Sequence, residues 1–484
     1  MTPQTVFLQP PSFDGFDGGA GARYQARRAV RSFCFPTWLA QPAALVPESV
    51  LIDAPAAGLD TAQVLERMRG SELAILHTSS PSFAGDARFA AELKAREPKI
   101  RIGMVGARVA VDPEGALEGA PAVDFVCREE FDFTCLEVAR GLPLEKIAGL
   151  SLRGPRGTIV HTPARPILED LDSLPWVAPV YRRHLRIEDY RIGYLHHPYV
   201  SLFTGRGCKS RCTFCLWPQT VGGRRYRVRS VANVLGEVAW IRDHMPEVKE
   251  IFFDDDTFTD LPGRAEEIAR GLGRMGVTWS CNAKANVSFE TLRVMRDNGL
   301  RLLLVGYETG SDRILRNIRK GMRTDFARAF TKHCRDLGIT IHGCFVLGLP
   351  GETRETIEQT IRFAREINPH TIQVSLAAPY PGTELHRDAL AYGWLAAAGP
   401  AGFVDREGTQ RNVLSYPHLP AEEIFDALDH FYRRFYFRPG KILELVAEMA
   451  TSRELARRRL REGAEFLRFL HRRGATPSAP LAAR

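Results

Sequence analysis

The chain has 484 residues, of which 44% are apolar and 25% charged, and its formal net charge at pH 7 is +8. This composition is typical of a globular protein, and the length exceeds what one hydrophobic core organises, so we expect two or three domains. No run of about 18 apolar residues is present, so no membrane-spanning helix is expected. The N-terminal residues lack the pattern of a signal peptide, and an odd number of cysteines, nine, also favours a cytoplasmic location.

Residues 1–150 alternate short apolar runs with helical patterns. The predicted strands lie at residues 5–8, 50–52, 73–76, 100–105 and 123–126. This alternation predicts an α/β domain with a parallel, Rossmann-like sheet. Ligands of such sheets bind beyond the carboxyl ends of the strands, where residues 14–24 form a glycine-containing loop. No G-x-G-x-x-G motif opens a helix after the first strand, so these glycines are only a weak indication of phosphate binding.

Three further regions follow along the chain. Residues 151–195 contain a hairpin pattern, LSLRG and GTIVHT, and then a proline-rich linker. Residues 196–390 contain about six strand–helix repeats, which right-handed crossovers would curl into a partial (β/α)6 barrel with its active site at the carboxyl ends of the strands. Residues 391–484 are predicted to be helical and basic.

Three cysteines, Cys208, Cys212 and Cys215, stand in the loop after the first barrel strand with the spacing C-x3-C-x2-C. Three thiolates can bind three irons of a [4Fe–4S] cluster and leave the fourth iron open to a small molecule. The alternative is a zinc site, but structural zinc needs four ligands and no second C-x2-C occurs. We expect the other cysteines to be small buried residues, and they are Cys34, Cys127, Cys135, Cys281, Cys334 and Cys344.

Other polar residues follow the second, third and fourth barrel strands. They are Asp254, Asp255, Asp256, Asn282, Lys284 and Glu308. Because the carboxyl ends of parallel strands meet at one edge, we expect these side chains to lie near the cysteines. Two alternatives stay open: the aspartates form a metal site or a helix cap, and Glu308 is the buried ion-pair partner of Lys284 or Arg301.

The C-x3-C-x-aromatic-C pattern on the first loop of such a barrel resembles the radical S-adenosylmethionine (SAM) superfamily. The resemblance implies that the three cysteines bind a [4Fe–4S] cluster whose open iron chelates SAM, and that an electron from a flavodoxin or ferredoxin cleaves SAM to a 5′-deoxyadenosyl radical. It implies that Phe214 flanks the adenine, that Glu308 reaches the ribose, and that the segment around Val346 covers the adenine. The three aspartates, residues 254–256, replace the family's Gly-Gly-Glu that meets the SAM amine, so the carboxylate that makes this contact is open.

The first domain, the linker and the barrel together resemble the radical SAM subgroup whose first domain is a cobalamin-binding fold. The D-x-H-x-x-G motif that supplies a cobalt ligand is absent, and His77, the only histidine near a strand end of that domain, lies outside any such motif. The resemblance therefore leaves open whether cobalamin binds.

Three segments, PPSFDGFDGGAGARYQARR, SFCFPTWLAQPAALVP and SLFTGRGCKSRCTFCLWPQTVGGRRYRVRS, resemble the cyclitol ether synthase family of hopanoid lipid biosynthesis. This resemblance implies contraction of the amino-sugar ring of glucosaminyl bacteriohopanetetrol to a cyclitol ether. The alternative is a cobalamin-dependent radical SAM methyltransferase acting on a lipid or other small molecule. An RNA-modifying methylthiotransferase usually has a second cysteine trio or an RNA-binding module, and neither is found, so no nucleic-acid partner is expected. An electron carrier fits poorly with an open iron.

Two basic segments suggest contacts with other molecules. In SRELARRRLREGAEFLRFLHRRG, leucines alternate with arginines, which predicts either a solvated helix or an amphipathic helix in peripheral contact with the inner face of the membrane. Residues 224–229 contain four arginines and, together with the glycine-containing loop at 14–24, are the candidates for substrate contact.

Overall fold

The computed structural model describes residues 4–11, 16, 20, 26–28, 30–154, 157–396, 402–405 and 408–475. The strands of its first sheet are β1 (Thr5–Gln9), β2 (Val50–Asp53), β3 (Leu73–His77), β4 (Arg101–Val105), β5 (Phe125–Cys127), β6 (Leu150–Arg153) and β7 (Ile159–His161). Their order in the sheet is β2-β1-β3-β4-β5-β6-β7, and the first five are parallel.

Helices cover both faces of this sheet. They are α1 (Thr37–Leu45), α2 (Ala54–Ala57), α3 (Thr61–Arg67), α4 (Phe83–Arg96), α5 (Ala107–Val111), α6 (Pro113–Gly119), α7 (Asp132–Ala139) and α8 (Ala178–His184). Successive residues of a strand point to opposite faces, and Phe7 accordingly enters one apolar core while Val6 and Leu8 enter another. Burial on both faces explains why the middle residues of these strands are apolar.

The predicted parallel α/β sheet is therefore confirmed, with one difference at its edge. Strands β6 and β7 pair antiparallel, as the hairpin pattern predicts, but β6 also pairs antiparallel with β5, so both strands extend the first sheet. This pairing satisfies the backbone groups at the edge of β5, which a free linker would leave open. The predicted domain boundaries stay predictions.

The second sheet is a six-stranded half-barrel. Its strands are β8 (Tyr199–Leu202), β11 (Glu250–Phe253), β12 (Trp279–Ala283), β13 (Leu300–Glu308), β14 (Thr340–Leu347) and β15 (Thr371–Leu376), and a separate ribbon consists of β9 (Gly205–Arg206) and β10 (Arg227–Val228). All neighbouring strands of the half-barrel are parallel, in the order β15-β14-β13-β12-β11-β8. The six-stranded partial barrel predicted from the sequence is confirmed.

The remaining helices surround the half-barrel and form the C-terminal region. They are α9 (Trp217–Thr220), α10 (Val231–His244), α11 (Pro262–Met275), α12 (Phe289–Asp297), α13 (Asp312–Asn317), α14 (Thr324–Asp336), α15 (Arg354–Ile367), α16 (Glu384–Ala391), α17 (Ala421–Tyr436), α18 (Pro439–Ala450) and α19 (Arg453–Ala475). Within the described ranges, no helix is both long enough and apolar enough to cross a bilayer.

Side chains take the place of a seventh strand along β15. The backbone N–H groups of Ile372 and Val374 donate to the hydroxyls of Tyr436 and Tyr432, both at 2.9 Å. Beyond them, the side-chain amide of Gln410 both accepts from and donates to the backbone of Leu376, at 3.0 and 2.8 Å. The open edge of the half-barrel is thus satisfied by the C-terminal region.

Two buried ion pairs join the ribbon beside the cysteine loop to the first part of the chain. The guanidinium of Arg206 donates to both carboxylate oxygens of Asp132, at 2.6 and 3.1 Å, and that of Arg227 does the same with Glu130, at 2.9 and 2.7 Å. All four side chains are at most 5% exposed. Bidentate pairing of this kind fixes orientation as well as position.

Candidate functional site

The cysteine loop follows β8, and hydrogen bonds from one side chain hold its backbone together. The Gln219 amide donates to the carbonyl oxygens of Cys212, Thr213 and Cys215, at 3.3, 3.2 and 2.7 Å. At the start of the loop, Gly207 has φ +86°, and a Cβ there would lie 2.2 Å from the carbonyl oxygen of Arg225, so only glycine fits.

The three thiols form a soft donor set on this single loop. Cys208 and Cys212 are nearly buried and Cys215 is half-buried. Burial raises the pKa of the Cys212 thiol, while the ammonium of Lys320 acts in the opposite direction. Thiolates are the ligands that iron–sulfur clusters use, so the donor chemistry fits such a cluster. Among the residues that the structure describes, no three His, Cys, Asp or Glu side chains are grouped closely enough to hold a single metal ion.

Asp255 is committed to the protein's own structure. Its carboxylate is fully buried and accepts from the backbone N–H and the hydroxyl of Thr204 and from the hydroxyl of Tyr226, each at 2.6 Å. Burial raises its pKa, and these hydrogen bonds oppose that rise. Asp255 therefore links the end of β11 to the segment that leads from β8 into the cysteine loop.

The neighbouring Asp254 lies at the edge of the half-barrel, 7% exposed, and its Oδ1 accepts from Asn282 Nδ2 at 2.8 Å. The same amide donates to the backbone oxygen of Asp255 at 3.0 Å, so Asn282 fixes the turn after β11. Lys284 pairs with Asp260, at 3.0 Å, rather than with a cofactor-facing carboxylate. Asp256, the third aspartate, is half-buried.

Glu308 ends β13 in an unusual backbone conformation. Its φ is +65°, and the register between β13 and β14 shifts at this point. Its Oε1 lies 2.5 Å from Lys320 Nζ, so Glu308 is a buried ion-pair partner, as one alternative anticipated, but the expected cations were wrong. Lys284 pairs with Asp260. Arg301 pairs with Glu250 at 2.8 Å because Arg301 lies at the opposite end of β13 from Glu308.

A buried glutamate that the sequence analysis missed shapes the turn after β14. Glu352 Oε2 accepts from the backbone N–H groups of Gly348 and Leu349, at 2.6 and 3.3 Å. Full burial raises the pKa of Glu352 to about 8. The turn positions Val346, which is 8% exposed at the carboxyl end of β14. The G-L-P-G-E run is recognisable in the sequence. No neighbouring residue indicates, however, that the glutamate carboxylate accepts hydrogen bonds from the backbone at the start of the run.

The structure places the residues predicted to bind the cluster and SAM at one edge of the half-barrel. The cysteines and the partly buried Phe214 follow β8, the aspartates follow β11, Glu308 ends β13 and Val346 lies near the end of β14. Parallel strands collect their following loops at this edge, as expected. Of the six scattered cysteines, five are buried as predicted and Cys344 is half-buried.

The arginines of residues 224–229 contact other parts of the protein, and their predicted contact with substrate stays a prediction. Arg227 forms the buried pair with Glu130, and Arg229 pairs with Glu237 at 2.7 Å. Arg225 pairs with Glu169 at the surface, and Arg224 donates to the backbone of Ser210 at 3.2 Å. The other candidate for substrate contact, the loop at 14–24, lies outside the described residues except for residues 16 and 20.

A second candidate site lies at the carboxyl ends of the first sheet. The strand order β2-β1-β3 places the topological switch point between β1 and β3, where ligands of open α/β sheets bind. Gln9 ends β1 and His77 ends β3, and they are 2% and 1% exposed. Among the residues that the structure describes, neither polar atom of either side chain has a hydrogen-bond partner. Burial lowers the pKa of His77 to about 3, so its imidazole is neutral. Buried polar groups are normally satisfied, so this pair is suited to receive a ligand.

Comparison with known proteins identifies the family of the chain. The radical SAM superfamily model matches residues 202–364. An uncharacterized methyltransferase of Pyrococcus horikoshii is 30% identical over 436 residues, covering 87% of this chain and 92% of that protein. The hopanoid C-3 methylase of Methylococcus capsulatus is 28% identical over 232 residues, covering 46% of this chain but only 40% of that protein.

The same two-part fold occurs in a solved structure, the radical SAM methyltransferase TsrM from Kitasatospora setae, determined with cobalamin and a [4Fe–4S] cluster bound. It superimposes with a TM-score of 0.69 over 98% of this chain and 100% of that one, at 15% identity. A radical SAM domain implies a [4Fe–4S] cluster and SAM as cofactors, and such enzymes need an electron donor and a small-molecule substrate. The cysteine loop, the half-barrel and the extent of similarity to the archaeal methyltransferase lead to one conclusion: the chain belongs to the radical SAM superfamily.

Proposed function

We propose that this protein is a cobalamin-dependent radical SAM methyltransferase that acts on a lipid or other small molecule. The observation that carries the proposal is the extent of the similarity to the archaeal methyltransferase, which includes both sheets and not the barrel alone. A protein that shared only the SAM-cleaving barrel would match over residues 202–364 and leave the first sheet unexplained.

The residues at the half-barrel edge have separate tasks in this proposal. Cys208, Cys212 and Cys215 hold the cluster, which supplies a coordination site and an electron for SAM when it is bound. Asp254, which Asn282 orients, is the carboxylate for the SAM amine, because Asp255 is used within the protein.

The other SAM contacts come from the strands that follow. Glu308, whose carboxylate pairs with Lys320, is the proposed contact for the ribose hydroxyls. Phe214 and Val346 supply the apolar surface for the adenine. The binding of SAM at a desolvated edge excludes water from a reactive species.

Cobalamin fits the second candidate site. Gln9 and His77 present four buried polar atoms that have no hydrogen-bond partner within the described part of the chain. They lie at the switch point of a sheet whose strand order is that of nucleotide-binding α/β folds. A cobalamin bound there offers amide and phosphate groups to such atoms and supplies a methyl carrier. TsrM, which shares this fold, was solved with cobalamin bound, and this supports the same assignment here.

The similarity that supports a substrate class is shorter than the similarity that supports the reaction. A hopanoid C-3 methylase is among the relatives, which supports a polycyclic lipid, although the similarity covers less than half of either chain. The resemblance in the sequence to the cyclitol ether synthases favours glucosaminyl bacteriohopanetetrol as the first substrate to test. Ring contraction of its amino sugar stays a prediction from that resemblance, and the methyltransferase relatives favour methyl transfer over it.

One anaerobic assay distinguishes the two reactions. The reconstituted protein is incubated with SAM that carries a deuterated methyl group, cobalamin, reduced flavodoxin and the glucosaminyl hopanoid. Methyl transfer produces S-adenosylhomocysteine and a lipid that carries the deuterated methyl group. An unlabelled product of unchanged mass, together with 5′-deoxyadenosine, would overturn methyl transfer and support ring contraction. Cys212→Ala is the control, because both reactions need the cluster.

A further inference from the structure

We propose that the hairpin of helices α18 and α19 is a docking surface for a bilayer that contains anionic lipids. Six of the twelve large apolar side chains that are exposed in the described ranges lie between residues 437 and 467. Exposed apolar residues concentrated in so short a segment mark an interaction surface rather than chance exposure.

Helix α18 has one apolar outer face. Its exposed apolar positions include Ile442, Leu443, Val446, Ala447 and Ala450, which recur at the spacing of a single helical face, and Leu443 is 69% exposed. The exposed Glu444 lies beside this face, and its charge is paired with Lys441 at 2.8 Å. The opposite face holds the helix to the protein. There Lys441 is buried and donates to the carbonyl oxygen of Pro369 at 3.0 Å.

Helix α19 exposes a face in which cations alternate with leucines. Its exposed residues from 457 to 468 are Arg457, Leu460, Arg461, Ala464, Leu467 and Arg468, again at helical spacing. Leu460 is 65% and Leu467 54% exposed. No ion pair between described residues involves these three arginines.

The inner face of α19 is already occupied. Arg458 donates to the carbonyl oxygens of Leu195 and Gly193, both at 2.9 Å, and Arg459 pairs with Glu448 of α18 at 2.9 Å. Phe466 packs edge-on against Tyr432, with the ring centroids 5.3 Å apart. The orientation of the helix is therefore fixed by the protein, and its outer face is left for another surface.

The chemistry of the outer faces of α18 and α19 indicates which partner they bind. Leucine, isoleucine and valine side chains enter the boundary between headgroups and acyl chains, while guanidinium groups attract anionic lipid headgroups. A neutral protein partner would satisfy the apolar face of α18 but not the arginines of α19. An anionic bilayer satisfies both faces.

Vesicle sedimentation with the 484-residue, cluster-containing protein tests the proposal. The protein is expected to bind vesicles of phosphatidylcholine and phosphatidylglycerol in equal amounts, to bind vesicles of phosphatidylcholine alone weakly, and to lose affinity at high salt. Each of Arg457→Gln and Arg461→Gln should weaken binding by about fivefold, since one cation near an anionic surface contributes about 1 kcal/mol. Leu443→Asn and Leu460→Asn should also weaken it.

Leu390→Asn is the matched control, because Leu390 is 59% exposed on α16, outside the hairpin, and its replacement should leave binding unchanged. Circular dichroism and iron content confirm that each variant folds. Equal binding of all variants would overturn the proposal. A dimer that Leu443→Asn dissociates, with no vesicle binding by the original protein, would overturn it in favour of a second copy of the chain as the occupant.

Discussion

Lys320 Nζ lies 2.5 Å from Glu308 Oε1, and both side chains are nearly buried at the edge of the cysteine loop. The turn that carries Lys320 is fastened to that loop, because the N–H of Thr213 donates to the carbonyl oxygen of Ile318 at 3.1 Å. The pair therefore connects the end of β13 to the proposed cluster loop. A substitution of either residue should alter the geometry of both segments.

Lys320→Met should destabilise the protein by about 3–5 kcal/mol, because it leaves the buried Glu308 carboxylate unpaired. It should also reduce SAM affinity, measured by the SAM-induced change in the electron paramagnetic resonance spectrum of the reduced cluster. The double variant Glu308→Gln/Lys320→Met should regain much of the stability but not the SAM affinity. A single variant that has normal stability and a normal SAM titration contradicts the interpretation.

Replacement of Asp254 and Asp255 should have different effects. Asp255→Asn disrupts the hydrogen bonds from Thr204 and Tyr226, each worth about 1–3 kcal/mol when a buried partner is lost, so it should lower the thermal midpoint. Asp254→Asn should weaken SAM binding more than it lowers the midpoint, because the asparagine keeps an oxygen that can accept from Asn282 but loses the charge for the SAM amine. Thermal unfolding and SAM titration of both variants separate the two roles, and the reverse pattern would exchange them.

Loss of any one of Cys208, Cys212 and Cys215 should abolish the cluster. Each alanine variant is expected to bind little iron after anaerobic reconstitution and to lack the [4Fe–4S] signal in Mössbauer spectra. Cys334→Ala is the control, since Cys334 is fully buried on α14 and should retain the cluster. A variant of the loop that keeps a complete cluster would remove that cysteine from the ligand set.

The raised pKa of Glu352 predicts that the stability of the protein depends on pH. Burial raises its pKa from 4.5 to about 8, so the folded state binds this proton more tightly than the unfolded state. The free energy of unfolding should therefore fall as the pH rises from about 5 to 8, by up to a few kcal/mol. Glu352→Gln should remove this part of the decline, measured by denaturant unfolding across that range. Glu355→Gln, at an exposed site on α15, should leave the slope as it is. Equal slopes for the original protein and Glu352→Gln would contradict the assignment.

Features encoded by local patterns could be predicted from the sequence. The strands of the first sheet and the half-barrel follow from short apolar runs separated by helical periodicity. The cysteine loop follows from the spacing of three thiols within eight residues. The carboxyl-end position of residues such as Asp254 and Glu308 follows from parallel topology, since it requires only that each residue comes directly after a strand.

Pairings between distant residues could not be predicted in this way. The choice of Lys320 for Glu308, rather than Lys284 or Arg301, depends on the turn after α13, and no residue near Glu308 indicates it. The pair between Arg206 and Asp132 joins residues 74 positions apart, which only the packing of the two sheets brings together. The same holds for the strand β6, because a hairpin pattern does not reveal which sheet edge it will join.

The capping of β15 by Tyr432, Tyr436 and Gln410 has a consequence for synthesis of the chain on the ribosome. These residues are synthesised after β15, whose backbone N–H groups they accept hydrogen bonds from. Those N–H groups of β15 therefore stay unpaired until α17 and the segment before it have formed. An unpaired strand edge is the usual template for intermolecular association. A chain that stops before residue 410 would keep that edge uncovered, so its tendency to aggregate would come from incomplete closure rather than from a weaker half-barrel core.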